Sequence, residues 1–309
     1  MRILFMGTPE FAVPSLRILL DHSYDISGVV TAPDKPRGRG QQVSFTPIKE
    51  FAHHHHLPIL QPEHINDPNF ISHVEQLAPD LAVVVAFRIL PREVYIIPKL
   101  GSFNLHASLL PKYRGAAPIN WAIINGEEES GVTTFFLQDT VDTGSVLLQE
   151  RVKIGADDTA GELHDKLSEV GAGLVLQTVR LIERGRAQPS VQNDSLACPA
   201  PKIFKNDCRI HWKKSSQQVH NFIRGLSPHP ASWTMHNRRV IKVYRTKIAD
   251  AQSQPQSAGI VLRRTKNTLL VGTGNGAVSL MEIQQEGKRR LNIEEFLRGY
   301  TIEEGALLE

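Results

Sequence analysis

The sequence predicts an α/β protein. A doubly wound, mostly parallel sheet comes first, and a second, smaller OB-like β-barrel domain follows. Three observations carry this expectation. Short apolar runs alternate with helical periodicities through the first two-thirds of the chain. One of those runs, 81–86, is apolar throughout, as in a sheet covered on both faces. After a proline-bearing stretch the pattern changes to five short strands punctuated by Gly and Asn, which suits a small barrel with the OB-fold as its natural form.

Each element has its own signal. Residues 3–6 are apolar and end at Gly7, which predicts a buried first strand. Phe11, Leu16, Leu19 and Leu20 follow at helical spacing, and 26–31 is the next strand. Thr46 is an N-cap for a helix that opens at Pro47. Residues 58–60 form a short strand, and Phe70, Val74 and Leu77 share one helix face. Strands are expected at 81–86 and 103–106, then a pair at 133–137 and 145–152. Leu163, Leu167, Val170, Leu174 and Leu181 stripe a long helix over 163–182. The stretch 185–202 holds Pro189, Pro199 and Pro201 and reads as a linker. A helix is expected at 215–226 and strands at 232–236, 240–244, 259–263, 268–271 and 277–283, with a last helix at 293–297. The expected domains are 1–187 and 207–309, joined by a linker at 188–206.

Composition narrows the function. A chain of 309 residues with 41% hydrophobic and 22% charged side chains builds real cores and is not wholly disordered. Its longest clean apolar run, 81–87, is far short of the ~20 residues that cross a bilayer. Met1-Arg2 leads straight into the first strand, so no signal peptide is expected. Two cysteines, Cys198 and Cys208, argue against a disulfide framework and for a reducing cytoplasm. His53-His54-His55-His56 lacks metal-ligand spacing and reads as a solvated helix end, so no metal is expected. Residues 207–309 carry 16 basic and 9 acidic side chains, whereas the first 206 carry 19 and 23. A basic rear suits either a polyanionic partner or an ordinary solvated surface.

Two nucleotide motifs are missing. Gly7-Thr8-Pro9-Glu10 stands where G-x-G-x-x-G would follow the first strand, and Glu10 would repel a pyrophosphate, which argues against nicotinamide or flavin. No P-loop pattern occurs. The informative segment is Asn104-Leu105-His106-Ala107-Ser108-Leu109-Leu110-Pro111. Asn104 and His106 are two apart at a strand end and so lie on one face. An amide beside an imidazole there can stabilise an oxyanion and manage a proton, or the two can simply satisfy a turn. Asp142, before Thr143-Gly144, is either a carboxylate partner for His106 or a turn aspartate.

These segments, with Tyr113-Arg114-Gly115-Ala116-Ala117-Pro118-Ile119, resemble the folate-dependent formyltransferases. Three further segments match the branch that acts on methionyl-tRNA: Gly7-Thr8-Pro9-Glu10-Phe11-Ala12, Pro33-Asp34-Lys35-Pro36 with Gly38-Arg39-Gly40, and Arg209-Ile210 with Trp212. The resemblance covers nearly the whole chain. It implies a Rossmann-like formyltransferase domain and an OB-like tRNA-binding domain. It further implies 10-formyltetrahydrofolate as formyl donor and initiator methionyl-tRNA as acceptor, with no metal and no membrane. A monomer is expected. On the resemblance Asn104 and His106 face the oxyanion and Asp142 assists proton movement. Ser108, Leu109, Leu110 and Pro111 lie along the folate, and the 81–90 segment, with Phe87 and Ile89, builds a wall of the pterin pocket. By their residues alone Lys35, Arg37 and Arg39 favour a solvated charged loop over a phosphate-following one; the resemblance reverses that and places them in a tRNA-reading loop.

The chain departs from the family pattern in one place. Members usually read Ala-Tyr-Gly-x-Ile-Leu-Pro after the apolar strand, and this chain reads Ala86-Phe87-Arg88-Ile89-Leu90-Pro91, one residue shorter and without the glycine. Ala107 stands where a glycine is common. A formyltransferase acting on a nucleotide-linked amino sugar is the alternative function, because it shares Asn104, His106 and Asp142. Glycinamide-ribonucleotide formyltransferase is disfavoured because it usually ends near the linker. A non-enzymatic RNA-binding module accounts for the charge but not for those three residues.

Overall fold

A computed structural model of the chain describes residues 1–37, 42–249 and 257–309. The apolar opening forms β1 (Arg2–Gly7), followed by α1 (Val13–Asp21) and β2 (Asp25–Val30). A small antiparallel hairpin, β3 (Lys35–Arg37) and β4 (Gln42–Ser44), precedes α2 (Pro47–His54). Thr46 Oγ1 accepts from the Lys49 amide at 3.1 Å and Pro47 opens the helix, as its cap chemistry requires. Then come β5 (Ile59–Leu60), α3 (Pro68–Leu77), β6 (Leu81–Val85), α4 (Arg92–Tyr95) and β7 (Ser102–His106). Next are β8 (Arg114–Gly115), α5 (Pro118–Ile124), β9 (Glu129–Phe136), β10 (Val146–Lys153), α6 (Ala160–Glu183) and β11 (Pro199–Ala200).

The chain divides into two units, and neither is one continuous stretch. The first comprises Met1–Gly115, Ser130–Val152 and His164–Pro199; the second comprises Ala116–Glu129, Lys153–Leu163 and Ala200–Glu309.

In the first unit seven strands run in the order β10-β9-β7-β6-β1-β2-β5. The pairs β1–β2, β1–β6, β2–β5 and β6–β7 are parallel, and β9 turns antiparallel against β7. This is the expected doubly wound, mostly parallel sheet. The chain builds outward from β1 through β2 to β5, then returns to place β6 and β7 on the other side of β1. The switch in strand order therefore falls between β1 and β6, where α/β sheets open a crevice at the carboxyl ends of their strands. Register sets Gly7 beside Val85 and Val85 beside Leu105, so Thr8, Ala86 and His106 lie in line at the carboxyl ends of their strands. Leu4, Met6, Val30, Ala82 and Val84 alternate onto one face and pack with Phe70, Val74 and Val94. On α6, a Cβ at Gly171 would lie 2.7 Å from a terminal methyl of the Leu105 side chain, so the glycine makes room for Leu105 of β7.

In the second unit α7 (Ser216–Gly225) starts from a reciprocal cap, Ser215 with Gln218. It is followed by β12 (Ser232–His236), β13 (Arg239–Ala249), β14 (Val261–Arg264), β15 (Leu269–Gly272), β16 (Ala277–Gln285), β17 (Leu291–Asn292) and α8 (Ile293–Gly299). The sheet order is β12-β13-β16-β15-β14, antiparallel throughout, with β17 added to β16. Its two free edges meet through residues 305–309. Gly305 and Leu308 donate to Val261 and Gly259 on the β14 side, while Met235 and Glu309 exchange hydrogen bonds of 3.0 and 2.9 Å on the β12 side. The five expected strands thus close into a barrel, with the end of the chain as the closing piece. Trp212, Val243, Leu269, Val278 and Phe296 lie in its core.

Candidate active site

Asn104 and His106 stand one strand-period apart at the carboxyl end of β7, half-buried and buried respectively. Past them the chain turns back on itself through residues 107–113. Ser108 Oγ donates to the Lys112 carbonyl at 2.6 Å. Thr133 Oγ1 on β9 donates to the Ser108 carbonyl at 2.6 Å and accepts from the Leu110 amide at 3.1 Å. Gln149 on β10 donates to the Leu110 carbonyl at 2.8 Å. The loop is therefore stapled to two strands, and it returns the Tyr113 carbonyl to within 2.8 Å of His106 Nε2.

That contact sets the tautomer. A carbonyl only accepts, so Nε2 carries the hydrogen and Nδ1 is the imidazole atom left to take up or release a proton. Nδ1 faces Asp142 Oδ2 at 3.8 Å. This exceeds a direct hydrogen bond, so a polar group lying off the line between the two atoms can reach both. Both side chains are nearly enclosed, at 7% and 12% exposure, which strengthens any charge interaction between them.

Asp142 sits in a left-handed conformation, φ 56°, unusual for a residue with a side chain. Its Oδ2 accepts from the Gly115 amide at 2.8 Å. Gly144 follows so close to β9 that a Cβ there would lie 1.7 Å from the Phe136 carbonyl oxygen. Gln192 donates to the carbonyls of Asp142 and Gly144 at 2.9 and 2.8 Å, and Arg114 holds Gln192 in turn.

The structure brings Asn104, His106, Ser108, Leu110 and Asp142 into the first unit around the end of β7. Phe87 is half-buried against the core beside β6, Leu90 is buried, and Ile89 is 75% exposed. Leu109 and Pro111 are half-buried. Arg88, at the position where the family glycine is missing, donates to the carbonyls of Glu63 and Pro62 at 2.9 and 2.7 Å, and burial lowers its pKa. Lys35 is exposed on β3, whose base is held where Asp34 pairs with Lys49 and accepts from Gln61 at 2.9 Å. Those contacts, Lys49 first, hold the Asp34 carboxyl below its ordinary pKa. Arg37 lies on β3, and Arg39 lies outside the described residues. In the second unit Arg245 is engaged by Glu162 and Glu282, whereas Arg209, Lys213, Lys214, Arg238 and Arg239 are exposed. His53 to His56 are exposed at the end of α2.

Gln192, Arg114, Thr133 and Gln149 were missed as site residues. Arg114 lies inside a segment that carries the family resemblance. The others carry no local signal, because their partners are distant in sequence.

Comparison with known proteins identifies the family. Residues 1–179 match the family Formyl transferase, and residues 202–301 match Formyl transferase, C-terminal domain. A protein named methionyl-tRNA formyltransferase from Clostridioides difficile (strain 630) is 45% identical over 309 residues, covering 100% of both chains. Among solved structures, HypX from Aquifex aeolicus superposes with TM-score 0.68 at 18% identity, over 97% of this chain and 49% of that one. WlaRD, a sugar 3N-formyl transferase solved with dTDP and 5-N-formyl-THF, gives TM-score 0.67 at 21% identity, over 94% and 99%. At those identities the two structures establish the fold alone. Matched in both halves by the family and end to end by a close relative, the chain belongs to the formyl transferases.

Proposed function

We propose that this chain transfers the formyl group of 10-formyltetrahydrofolate to the α-amino group of initiator methionyl-tRNA, the step that prepares the initiator for translation. The observation that carries the reading is the enclosed convergence of His106 and Asp142 beside Asn104, at the carboxyl edge next to the switch in strand order. The end-to-end relative named for methionyl-tRNA supports the choice of acceptor.

The residues at that edge suit a pteridine-bearing donor: half-buried Phe87 and buried Leu90 and Leu110 are apolar, and Asn104 and His106 stand a few residues before Leu110 in the chain. In the reaction a bond forms between the acceptor nitrogen and the formyl carbon, and the bond from that carbon to the folate nitrogen breaks. One proton leaves the amine and one reaches the departing nitrogen. Asn104 donates to the formyl oxygen as it gains negative charge; losing one such donor costs about 10²–10³ in rate. His106 Nδ1 manages the proton, with Nε2 held by the Tyr113 carbonyl. Asp142 orients the exchange and stabilises positive charge on the imidazole.

Phosphate contacts are assigned to Lys35, Arg37 and Arg39 and to the exposed basic residues of the barrel. The reading places the enzyme in the cytoplasm as a monomer. The discriminating experiment incubates the chain with 10-formyltetrahydrofolate and either methionyl-tRNA or a nucleotide-linked amino sugar, and scores which amine is formylated. Formylation of the sugar alone would overturn the reading.

A further inference from the structure

Gln192 lies in a stretch whose composition suggests a tether, yet its side chain is half-buried and uses both ends of its amide. Arg114 donates to Gln192 Oε1 from Nε at 3.1 Å and from Nη2 at 2.7 Å. A guanidinium has only donors, so it fixes the oxygen toward itself and the NH₂ group toward the other side. There Nε2 meets two backbone carbonyls, those of Asp142 at 2.9 Å and Gly144 at 2.8 Å. Reciprocal backbone bonds of 2.8 Å between Ser190 and Val146 set this segment in register with the start of β10.

The residue so held needs holding. Asp142 occupies a left-handed backbone conformation, which aspartate tolerates better than most side chains and which hydrogen bonds to its carbonyl help to hold. Gly144 on its far side is pressed against the Phe136 carbonyl. Between them Thr143 bonds within its own loop, to Gln138 and to the Thr140 carbonyl. Gln192 ties this loop, through the loop's backbone, to a different part of the fold.

We propose that Gln192, oriented by Arg114, is a positioning residue that keeps the Asp142 carboxylate at His106. The stretch 188–206 thereby completes the site as well as connecting two parts of the chain. The proposal deepens the formyl-transfer reading and rests on it for its kinetic arm.

The test uses the full chain and the variants Gln192→Ala, Gln192→Glu, Asp142→Ala and the double Asp142→Ala/Gln192→Ala. Gln192→Glu keeps the contact with Arg114 but turns an oxygen toward two carbonyls. Both Gln192 variants are expected to lower kcat by about 10- to 100-fold, with KM for either substrate within about twofold. In the Asp142→Ala background the effect of Gln192→Ala should shrink to less than about twofold, because the two side chains act as one unit. Independently of turnover, the Gly115 amide, which donates to Asp142 Oδ2, should exchange its hydrogen about tenfold faster or more in Gln192→Ala. An equal kinetic loss with and without Asp142 would overturn the proposal, and so would unchanged exchange at Gly115. Full activity in Asp142→Ala would remove Asp142 from the reaction and with it the kinetic arm of the proposal, whereas failure of the unmodified chain to formylate methionyl-tRNA would strike the formyl-transfer reading; in either case the Gly115 exchange in Gln192→Ala still decides whether Gln192 holds Asp142.

Discussion

His106 Nδ1 and Asp142 Oδ2 face each other across 3.8 Å, one at the end of a strand and the other in a loop held from outside. Each group is fixed by a backbone contact: His106 Nε2 by the Tyr113 carbonyl, and Asp142 Oδ2, the oxygen that faces His106, by the Gly115 amide. Tyr113 and Gly115 are two residues apart, so a single short segment sets both partners. A shift of that segment moves the acid–base pair together, and the chemistry depends on preorganised geometry more than on either group alone.

His106→Ala is expected to reduce formyl transfer by about 10³-fold, and Asn104→Ala by about 10²-fold, each with the fold intact. Single-turnover rates with methionyl-tRNA, measured beside thermal melts, check this. Retained turnover in His106→Ala would remove the imidazole from the mechanism.

Gly144→Ala introduces a methyl where the Phe136 carbonyl already lies 1.7 Å away. Backbone must move, so stability should fall by about 1–3 kcal/mol and turnover should fall as well. Denaturant unfolding and kcat on the same preparation read both effects. Gly173→Ala, on α6 with nothing within 4 Å of the added carbon, is the control and should leave the fold unharmed.

Lys35→Ala and Arg39→Ala should weaken use of methionyl-tRNA far more than they alter folate affinity. Each should also flatten the dependence of tRNA binding on log salt by about 0.7–0.9, the share of one phosphate contact. Filter binding at several salt concentrations, beside folate titration, separates the two substrates. Equal loss of both would count against the assignment of the hairpin.

Acid should destabilise the barrel unit in two windows. Burial lowers the pKa of His220, which touches Thr246, the Ala156 carbonyl and Asp157, and burial lowers that of His236 as well. The unfolded chain therefore binds more protons, and stability falls once pH drops below about 6.5, by at most about 1.4 kcal/mol per pH unit per histidine. Burial tends to raise the Glu162 pKa, but hydrogen bonds from Thr159 and Arg245 outweigh it and bring it to about 2. Its contribution is present above the ordinary carboxyl value and is lost as pH falls toward 2. Urea unfolding of wild type and His220→Gln between pH 8 and 5 checks the upper window; the variant should show the shallower slope.

Local chemistry made most of the architecture readable in advance. The unbroken apolar run at Leu81–Val85, rich in valine, suits a strand covered on both faces, and Thr46 and Ser215 each cap a helix. The Asn104 and His106 pair was legible because a two-residue period puts both on one face. The placement of Phe87 and Ile89 was not, since an apolar letter does not say whether its side chain lies against the core or in solvent, and here one does each.

What the sequence by itself determined was the list of elements, the doubly wound order and the kinship to formyl transferases. Each of these is written in periodicities, caps and motifs a few residues long. Tertiary structure alone decided that Asp142 reaches His106, that Gln192 clamps Asp142, and that residues 305–309 close the barrel. Such contacts join residues far apart in the chain. Their energy comes from geometry that exists only after the sheet is built, so no local pattern records them.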